Sequence, residues 1–196
     1  MLNLILLASL AQDPAAADAR FVTGMIHHHA QAIVMARWAQ THDAGHAVRT
    51  LAERIAVSQR DEIAMMQRWL RDNGRPVPEI DTTYERHAHE RHAQERHAPD
   101  AHDARHAHEM PGMLSHDQLA RLDSARGADF DGLFLTLMIM HHRGAVTMVE
   151  QLRSVGGSAR DPIVLQIAND VVADQTAEID RMVRLLATSP NRGRNQ

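Results

Sequence analysis

Apolar residues recur at helical spacing along four long stretches of this chain. The first two stretches cover residues 18 to about 41 and residues 46 to about 72. The third covers residues 128 to about 154, and the fourth follows Asp161 and Pro162, which suit the cap and the first turn of a helix. Two helical hairpins of this kind predict an all-α four-helix bundle.

Residues that start or stop helices separate these stretches. Gly74 and Pro76 end the second helix, and Gly156 ends the third. Ser115 and Gln118 have the spacing of a capping box, which predicts a short helix to about residue 125. The predicted inward stripe of the fourth helix runs through Ile163, Ile167, Val171, Gln175, Glu178, Met182 and Leu185.

The two hairpins are joined by a long crossover with a biased composition. We assign residues 18–73 to the first hairpin, 74–114 to the crossover and 115–188 to the short helix and second hairpin, with residues 12–188 as one domain and 189–196 as a polar tail. Residues 86–108 read RHAHERHAQERHAPDAHDARHAH and contain no apolar residue larger than Ala. This segment cannot supply a core, and we expect an exposed or frayed helix up to Pro99.

An internal repeat relates the two hairpins. The pattern F-x-x-x-M-I-x-H-H-x-x-A-x-x-M occurs from Phe21 to Met35 and again from Phe134 to Met148. The second helix of each hairpin carries Q-x-x-E-I-x-x-M, from Gln59 to Met66 and from Gln175 to Met182. The repeat predicts a bundle with approximate twofold symmetry.

Polar side chains occupy the repeated inward positions. Gln175 and Glu178 lie on the core stripe of the fourth helix, and Gln59 and Glu62 are their equivalents on the second. A buried carboxylate needs a partner. The spacing favours His28 and His141 as these partners, with His29 and His142 one position round the helix.

Two interpretations of these inward groups remain open. Imidazole, carboxylate and thioether groups from facing helices converge in metal sites of helical bundles, which favours a metal site here. The alternative is a pair of His–Glu hydrogen-bond networks that fix the helix register. The candidate ligands are His28, His29, His141, His142, Glu62, Glu178, Met25, Met35, Met66, Met138, Met148 and Met182.

Composition narrows the chemistry. The 196 residues are 44% hydrophobic and only 3% aromatic, all 21 basic residues are Arg, and the net charge is -4 without a basic face. This excludes an all-β domain and makes nucleic acid a poor candidate partner. The chain has no Cys, which removes thiolate metal sites, cysteine nucleophiles and disulfides. The unusual feature is the content of 15 His and 11 Met.

The crossover offers a second set of candidate ligands. His42, His46 and His116 lie near turns and are expected to be ordinary surface residues. Met110 and Met113 flank a Pro-Gly turn outside any apolar stripe. The crossover histidines with chelating spacing are His87, His89, His92, His97, His102, His106 and His108. Their alternative role is that of a soluble spacer.

The donor set favours copper. Thioethers select Cu(I) and imidazole accepts Cu(I) and Cu(II), so Ag(I) should bind similarly. Zn or Ni could occupy the His tract but would not explain Met beside His. A dinuclear iron enzyme would need more inward carboxylates and an E-x-x-H pattern, which does not occur at this site.

The amino terminus resembles the end of an export signal. Residues 1–11 read MLNLILLASLA, too short to span a membrane and lacking a basic region, as in a truncated signal. The alternative is a short hydrophobic cap on the first helix. With a signal, the mature chain would start near Gln12, work outside the cytoplasm and have no stable membrane insertion.

Five ordered motifs make the chain resemble a bacterial family of unknown function numbered 305. They are MIHHHAQAIVMA at 25–36, QRDEIAMM at 59–66, MPGMLS at 110–115, LMIMHHRGAVTM at 137–148 and QTAEIDRM at 175–182. The resemblance covers residues 18–188 and implies a ferritin-like four-helix bundle, a periplasmic or cell-surface location and a role in copper tolerance. It also implies that the His pairs, the following Met and the inward Glu are the family's characteristic positions.

Three functions are compatible with the sequence. The leading one is an exported, noncatalytic protein that sequesters or transfers copper, with metal ions as ligands and another copper-handling protein as a conceivable partner. The second is a ferritin-like metal oxidase that uses the His pairs with Glu62 and Glu178. The third is a structural envelope module, for which metal would barely change the melting temperature.

Overall fold

The computed structural model describes residues 14–80, 110–155, 159 and 161–188. All regular structure in these ranges is helical, which confirms the predicted all-α class. The helices are α1 (Pro14–Trp38), α2 (His46–Asp72), α3 (His116–Ser124), α4 (Gly127–Ser154) and α5 (Pro162–Thr188). The predicted signal segment, the predicted helix up to Pro99, the crossover histidines and the polar tail lie outside the described residues.

The four long helices form a bundle. The helix pairs α1–α2 and α4–α5 pack as hairpins, and the hairpins meet through α1–α4 and α2–α5 contacts. The short helix α3 contacts both α1 and α4. None of the helices in the described part of the chain is long and apolar enough to cross a membrane.

Local sequence explains where several helices start and stop. Ser115 and Gln118 form the predicted capping box at the start of α3, each side chain bonding the other residue's backbone N–H. The Asp161 carboxylate caps α5 by accepting from the backbone N–H groups of Ile163 and Val164. At the end of α2, Gly74 has a positive φ of 63°, a conformation that suits glycine.

The predicted core needs correction at two positions. Ile163 is 45% exposed and its neighbour Val164 is fully buried, because the first turn of α5 enters the bundle one position later than the stripe predicts. His42, expected on the surface, is buried and bonds the Asp123 backbone and side chain. The turn after α1 packs against the end of α3, which the sequence near residue 42 does not reveal.

The core consists of two apolar clusters that lie toward opposite ends of the bundle. One cluster contains Phe130, Phe134 and Leu51, and the other contains Phe21, Trp69 and Val164. On α1 and on α4, the residues between the two clusters include paired histidines. The bundle therefore has a polar layer between two apolar halves.

Candidate metal centre

Two imidazole rings lie against each other at the contact between α1 and α4. The ring centroids of His28 and His141 are 3.8 Å apart, and the ring planes are tilted by 40°. Both side chains are completely buried. The core thus encloses two polar rings that water would otherwise solvate, at a cost unless they find partners.

The next histidine along each of these two helices faces the other helix of its own hairpin, α2 or α5. His29 on α1 forms a hydrogen bond from Nε2 with Oε2 of Glu62 on α2. His142 on α4 forms the same bond with Oε2 of Glu178 on α5, over 2.6 Å. The spacing favoured His28 and His141 as the partners of these glutamates. The structure corrects this, because those two rings fill the α1–α4 contact.

Several ring nitrogens have no hydrogen-bond partner among the described residues. The Nδ1 atoms of all four central histidines are buried in this state, as is Nε2 of His141. The inward amides predicted at Gln59 and Gln175 are also buried, each with an unpartnered Oε1. A native core contains few unsatisfied polar atoms, so this concentration needs an explanation.

Burial keeps both rings of His28 and His141, here called the stacked pair, neutral. Desolvation, aided by the neighbouring His29, lowers the pKa of His28 from 6.5 to about 3. Desolvation and then the nearby His28 hold the pKa of His141 well below its usual value. The nearby His28 backbone favours the protonated ring of His141 and offsets only a small part of this lowering. Both rings are therefore uncharged bases at neutral pH.

Residues 110–114, here called the strap, lie across α1 and α4 at the stacked pair. Nε2 of His28 donates to the carbonyl oxygen of Pro111 over 3.0 Å. The Gln31 side chain accepts from the Leu114 N–H at 2.8 Å and donates to the Leu114 carbonyl at 3.2 Å. Gln31 was not among the candidate residues, since nothing near it in sequence indicates a backbone partner at residue 114.

Glycines bring the strap into direct contact with α4. A Cβ at Gly144 would lie 2.1 Å from the Pro111 carbonyl oxygen, and Gly112 has a φ of 78°. In the sequence repeat, Gly144 occupies the position equivalent to Gln31. On α1, the Gln31 side chain therefore holds the strap by two hydrogen bonds, here called the Gln31 clamp. On α4, the strap packs directly on the backbone at Gly144.

Methionines flank the histidine layer on both sides. Each apolar cluster contains three of them: Met35, Met138 and Met182 in one, and Met25, Met66 and Met148 in the other. All six are buried. Met110 of the strap packs against the second cluster, its sulfur 3.1 Å from where a Gly24 Cβ would lie. Met113 is half-buried on the strap.

An acidic cleft opens on the opposite side of the layer, between α2 and α5. It has a volume of about 200 Å³ and reaches Glu62. Its lining residues are Ser58, Asp61, Glu62, Met65, Ile167, Asp170 and Asp174. Burial, reinforced by the Glu62 and Glu178 charges, raises the pKa of Asp174. Asp174 and Met65 were not predicted as site residues, because they lie off the repeated positions.

The predicted ligands therefore fall into distinct groups. The four bundle histidines form one layer, Glu62 and Glu178 border it, and the methionines lie above and below. Within residues 14–80, 110–155 and 161–188, no three His, Asp or Glu side chains converge as a preformed ligand set. His87, His89, His92, His97, His102, His106 and His108 lie outside the described residues.

A match to a protein-family model decides how this chain is classified. The model of the domain of unknown function DUF305 matches residues 18–186. The chain belongs to the DUF305 family. This confirms the resemblance drawn from its five motifs. Among curated proteins, none matches the chain.

Solved structures of DUF305 proteins share the bundle. A DUF305 fragment from Deinococcus radiodurans is 29% identical, with a TM-score of 0.66, over 87% of this chain and 95% of that one. A DUF305 protein from Streptomyces coelicolor that is described as secreted is 27% identical, also at 0.66, over 87% and 92%. CopM in its Cu(II)-bound form is 26% identical, at 0.61, over 87% and 95%. CopM also has Cu(I)-bound and Ag-bound structures.

Proposed function

We propose that this chain binds Cu(I), and Ag(I) in the same way, in the histidine layer of its bundle. The observation that carries the proposal is the stacked pair of His28 and His141, in which three of the four ring nitrogens are buried without a partner among the described residues. A structural hydrogen-bond network would use those nitrogens. A metal ion would satisfy the unpartnered lone pair that each neutral ring carries.

The surroundings of the pair favour a soft ion. Met25 and Met138 precede His28 and His141 by three residues, so each thioether projects from the same helix face as a stacked imidazole. Imidazole and thioether donors without thiolates suit Cu(I) and Ag(I), whereas hard divalent cations prefer carboxylate and water oxygens. Burial of the layer between two apolar clusters also favours an ion of low charge.

The protonation state suits ligation. A metal binds the neutral imidazole, and a bound proton competes with it. Because the pKa of His28 is lowered to about 3 and that of His141 is also low, both rings offer free lone pairs at any physiological pH. Metal binding at the pair would therefore release no proton near neutrality.

The relatives support this choice of metal. CopM, which shares the bundle, has been crystallised with Cu(I), Cu(II) and Ag. By this likeness we assign the present chain to copper handling rather than to catalysis, as a protein that sequesters the ion or transfers it to another copper-handling protein. We infer that the protein works outside the cytoplasm, in keeping with the signal-like residues 1–11 and the secreted relative.

The His-rich crossover would act as a separate binding element. Its seven histidines at short spacings suit Cu(II) or Zn as well as Cu(I), with modest selectivity. Met110 and Met113 of the strap stand between that tract and the histidine layer in the sequence. An ion captured by the crossover would thus reach a more selective site in the bundle.

Thermal unfolding with and without Ag(I) tests the proposal. A ligand at one hundred times its Kd stabilises the folded state by about 2.7 kcal/mol, so the melting temperature of the wild-type chain should rise by several degrees. The double variant His28→Leu/His141→Leu should lose this rise, and His46→Gln, on the exposed start of α2, should keep it. An equal rise in the double variant would refute the site.

A further inference from the structure

Three of the four central histidines use the same ring nitrogen for their hydrogen bond. Nδ1 of each ring is buried and unpartnered among the described residues. In three of the rings Nε2 faces an acceptor: the Pro111 carbonyl for His28, Glu62 for His29 and Glu178 for His142. The Nε2 end of each of these three rings is thus bonded to a group from a different element: the strap, α2 or α5.

The acceptors determine which nitrogen carries the proton. A carbonyl oxygen can only accept, so the contact of His28 with Pro111 requires a proton on Nε2. A carboxylate has the same effect on His29 and His142. A neutral ring that carries its proton on Nε2 has its lone pair on Nδ1, and no described residue forms a hydrogen bond with that atom.

Each glutamate already binds the Nε2 end of a ring, and Glu62 has a second partner on its outer side. Glu62 uses Oε2 for His29, and its Oε1 lies 3.5 Å from the Ser58 hydroxyl, which donates to it. The Glu62 and Glu178 side chains are 13% and 15% exposed, at the border of the layer with solvent. They lie at the Nε2 ends of the rings, whereas the free lone pairs lie at the Nδ1 ends.

We propose that His28, His29 and His142 bind the metal through Nδ1, and that Glu62, Glu178 and the Pro111 carbonyl are positioning groups rather than ligands. This rests on the proposed function and changes its ligand set, because the sequence interpretation counted both glutamates among the ligands. A histidine that binds a metal through one nitrogen commonly donates its other N–H to a carboxylate or a carbonyl, which fixes the ring and raises its basicity.

The ligand atoms determine which metal ions the site prefers. With the glutamates removed from the ligand set, the proposed donors are imidazole nitrogens and thioether sulfurs, and no carboxylate binds the ion. Such a site discriminates against Mg²⁺, Ca²⁺ and Mn²⁺, which need oxygen ligands, and favours Cu(I) and Ag(I). The carboxylates still contribute at the border, since each accepts a hydrogen bond that becomes stronger when the ring is bound to a cation.

Long-range ¹H–¹⁵N correlation spectra of the ¹⁵N-histidine-labelled full chain test the ligand atoms directly. In the metal-free protein, the rings of His28, His29 and His142 should each carry a proton on Nε2. Added Ag(I), which is diamagnetic, should shift their Nδ1 resonances and leave the Nε2 protons in place. Ag(I) shifts at Nε2, or loss of the Nε2 proton, would overturn the proposal.

Substitutions of the glutamates separate positioning from ligation. Glu62→Gln/Glu178→Gln keeps an oxygen that accepts from Nε2, so the Ag(I) affinity should stay within a few-fold of wild type. Glu62→Ala/Glu178→Ala removes the acceptor and should weaken Ag(I) binding by about 10- to 100-fold. Glu53→Ala, at an exposed position on α2, is the matched control and should bind normally.

The possible outcomes separate a failure of the proposed function from a failure of the ligand assignment. If the Gln and Ala double variants lose affinity equally while the wild type binds Ag(I), the glutamates are ligands and this inference fails, whereas the proposed function stands. If the wild-type chain does not bind Ag(I), the proposed function fails and the inference fails with it. Rescue by Gln together with Nδ1 shifts supports both.

Discussion

The rings of His28 and His141 lie 3.8 Å apart inside the bundle, and the backbone of the strap binds only one of them. Nε2 of His28 donates to Pro111, while neither nitrogen of His141 has a partner among the described residues. A core selected for stability alone would place apolar side chains at these positions. The pair therefore points to a function that offsets its cost to the fold.

The first prediction is a trade-off between stability and metal binding at His141. His141→Leu removes two unpartnered buried nitrogens at similar volume, so the free energy of unfolding of the metal-free protein should rise by about 1 to 3 kcal/mol. The same change should weaken Cu(I) binding. Chemical denaturation and a competitive Cu(I) titration measure the two effects.

His42 provides the matched control for this prediction. It is buried like His141, but its ring nitrogens contact Thr41 and Asp123. His42→Leu should therefore lower the free energy of unfolding by about 1 kcal/mol and leave Cu(I) binding unchanged. Equal destabilisation by the two substitutions would contradict our view of the stacked pair.

The second prediction concerns acid stability. The unfolded chain takes up protons at His28 and His141 as the pH falls below about 6.5, whereas folded His28 stays neutral until about pH 3 and the pKa of His141 is also low. The titration of these two groups therefore leaves stability independent of pH above about 6.5 and progressively destabilises the fold below it. Equilibrium unfolding at pH 7 and pH 4.5 should show a smaller loss in His28→Leu/His141→Leu than in wild type.

The third prediction tests the contact between the strap and α4. Gly144→Ala would place a methyl group 2.1 Å from the Pro111 carbonyl oxygen, so the strap must move and the melting temperature should fall. Gly132→Ala, also on α4, has open space around the new Cβ and should raise helix stability by up to about 1 kcal/mol. A neutral Gly144→Ala would show that the strap does not pack as described.

The fourth prediction concerns the Gln31 clamp. Gln31→Ala removes the acceptor for the Leu114 N–H and the donor for its carbonyl. Hydrogen exchange at the Leu114 amide should become faster, by tenfold or more, because the amide loses its hydrogen bond. Exchange at the Leu119 amide, bonded to Ser115 within the start of α3, should be unaffected and serves as the internal control.

Periodicity predicted much of the fold, because helix spacing and caps are local properties. The four long helices, the capping box of Ser115 and the Asp161 cap all depend on residues within one or two turns. Ile163 was placed wrongly because the entry angle of a helix into the bundle depends on the other helices. Only the packed structure shows that Val164 faces the core instead.

The candidate site was predictable in its residues but not in its pairing. The repeat identified the four histidines and the two glutamates, since polar residues on an apolar stripe stand out. Which histidine meets which glutamate depends on how α1 and α4 rotate about their contact. The roles of Gln31 and the Pro111 carbonyl depend on contacts across more than eighty residues, which a single sequence does not encode locally.

The most direct test of the central claim is an anaerobic Cu(I) titration against a chromophoric competitor. It uses the full-length chain with the seven crossover histidines replaced by Asn, which preserves the strap that packs on the bundle. We predict that tight Cu(I) binding survives in this chain and is lost when His28→Leu/His141→Leu is added. Loss of tight binding on replacing the crossover histidines alone would contradict it and would make the crossover the copper-binding element.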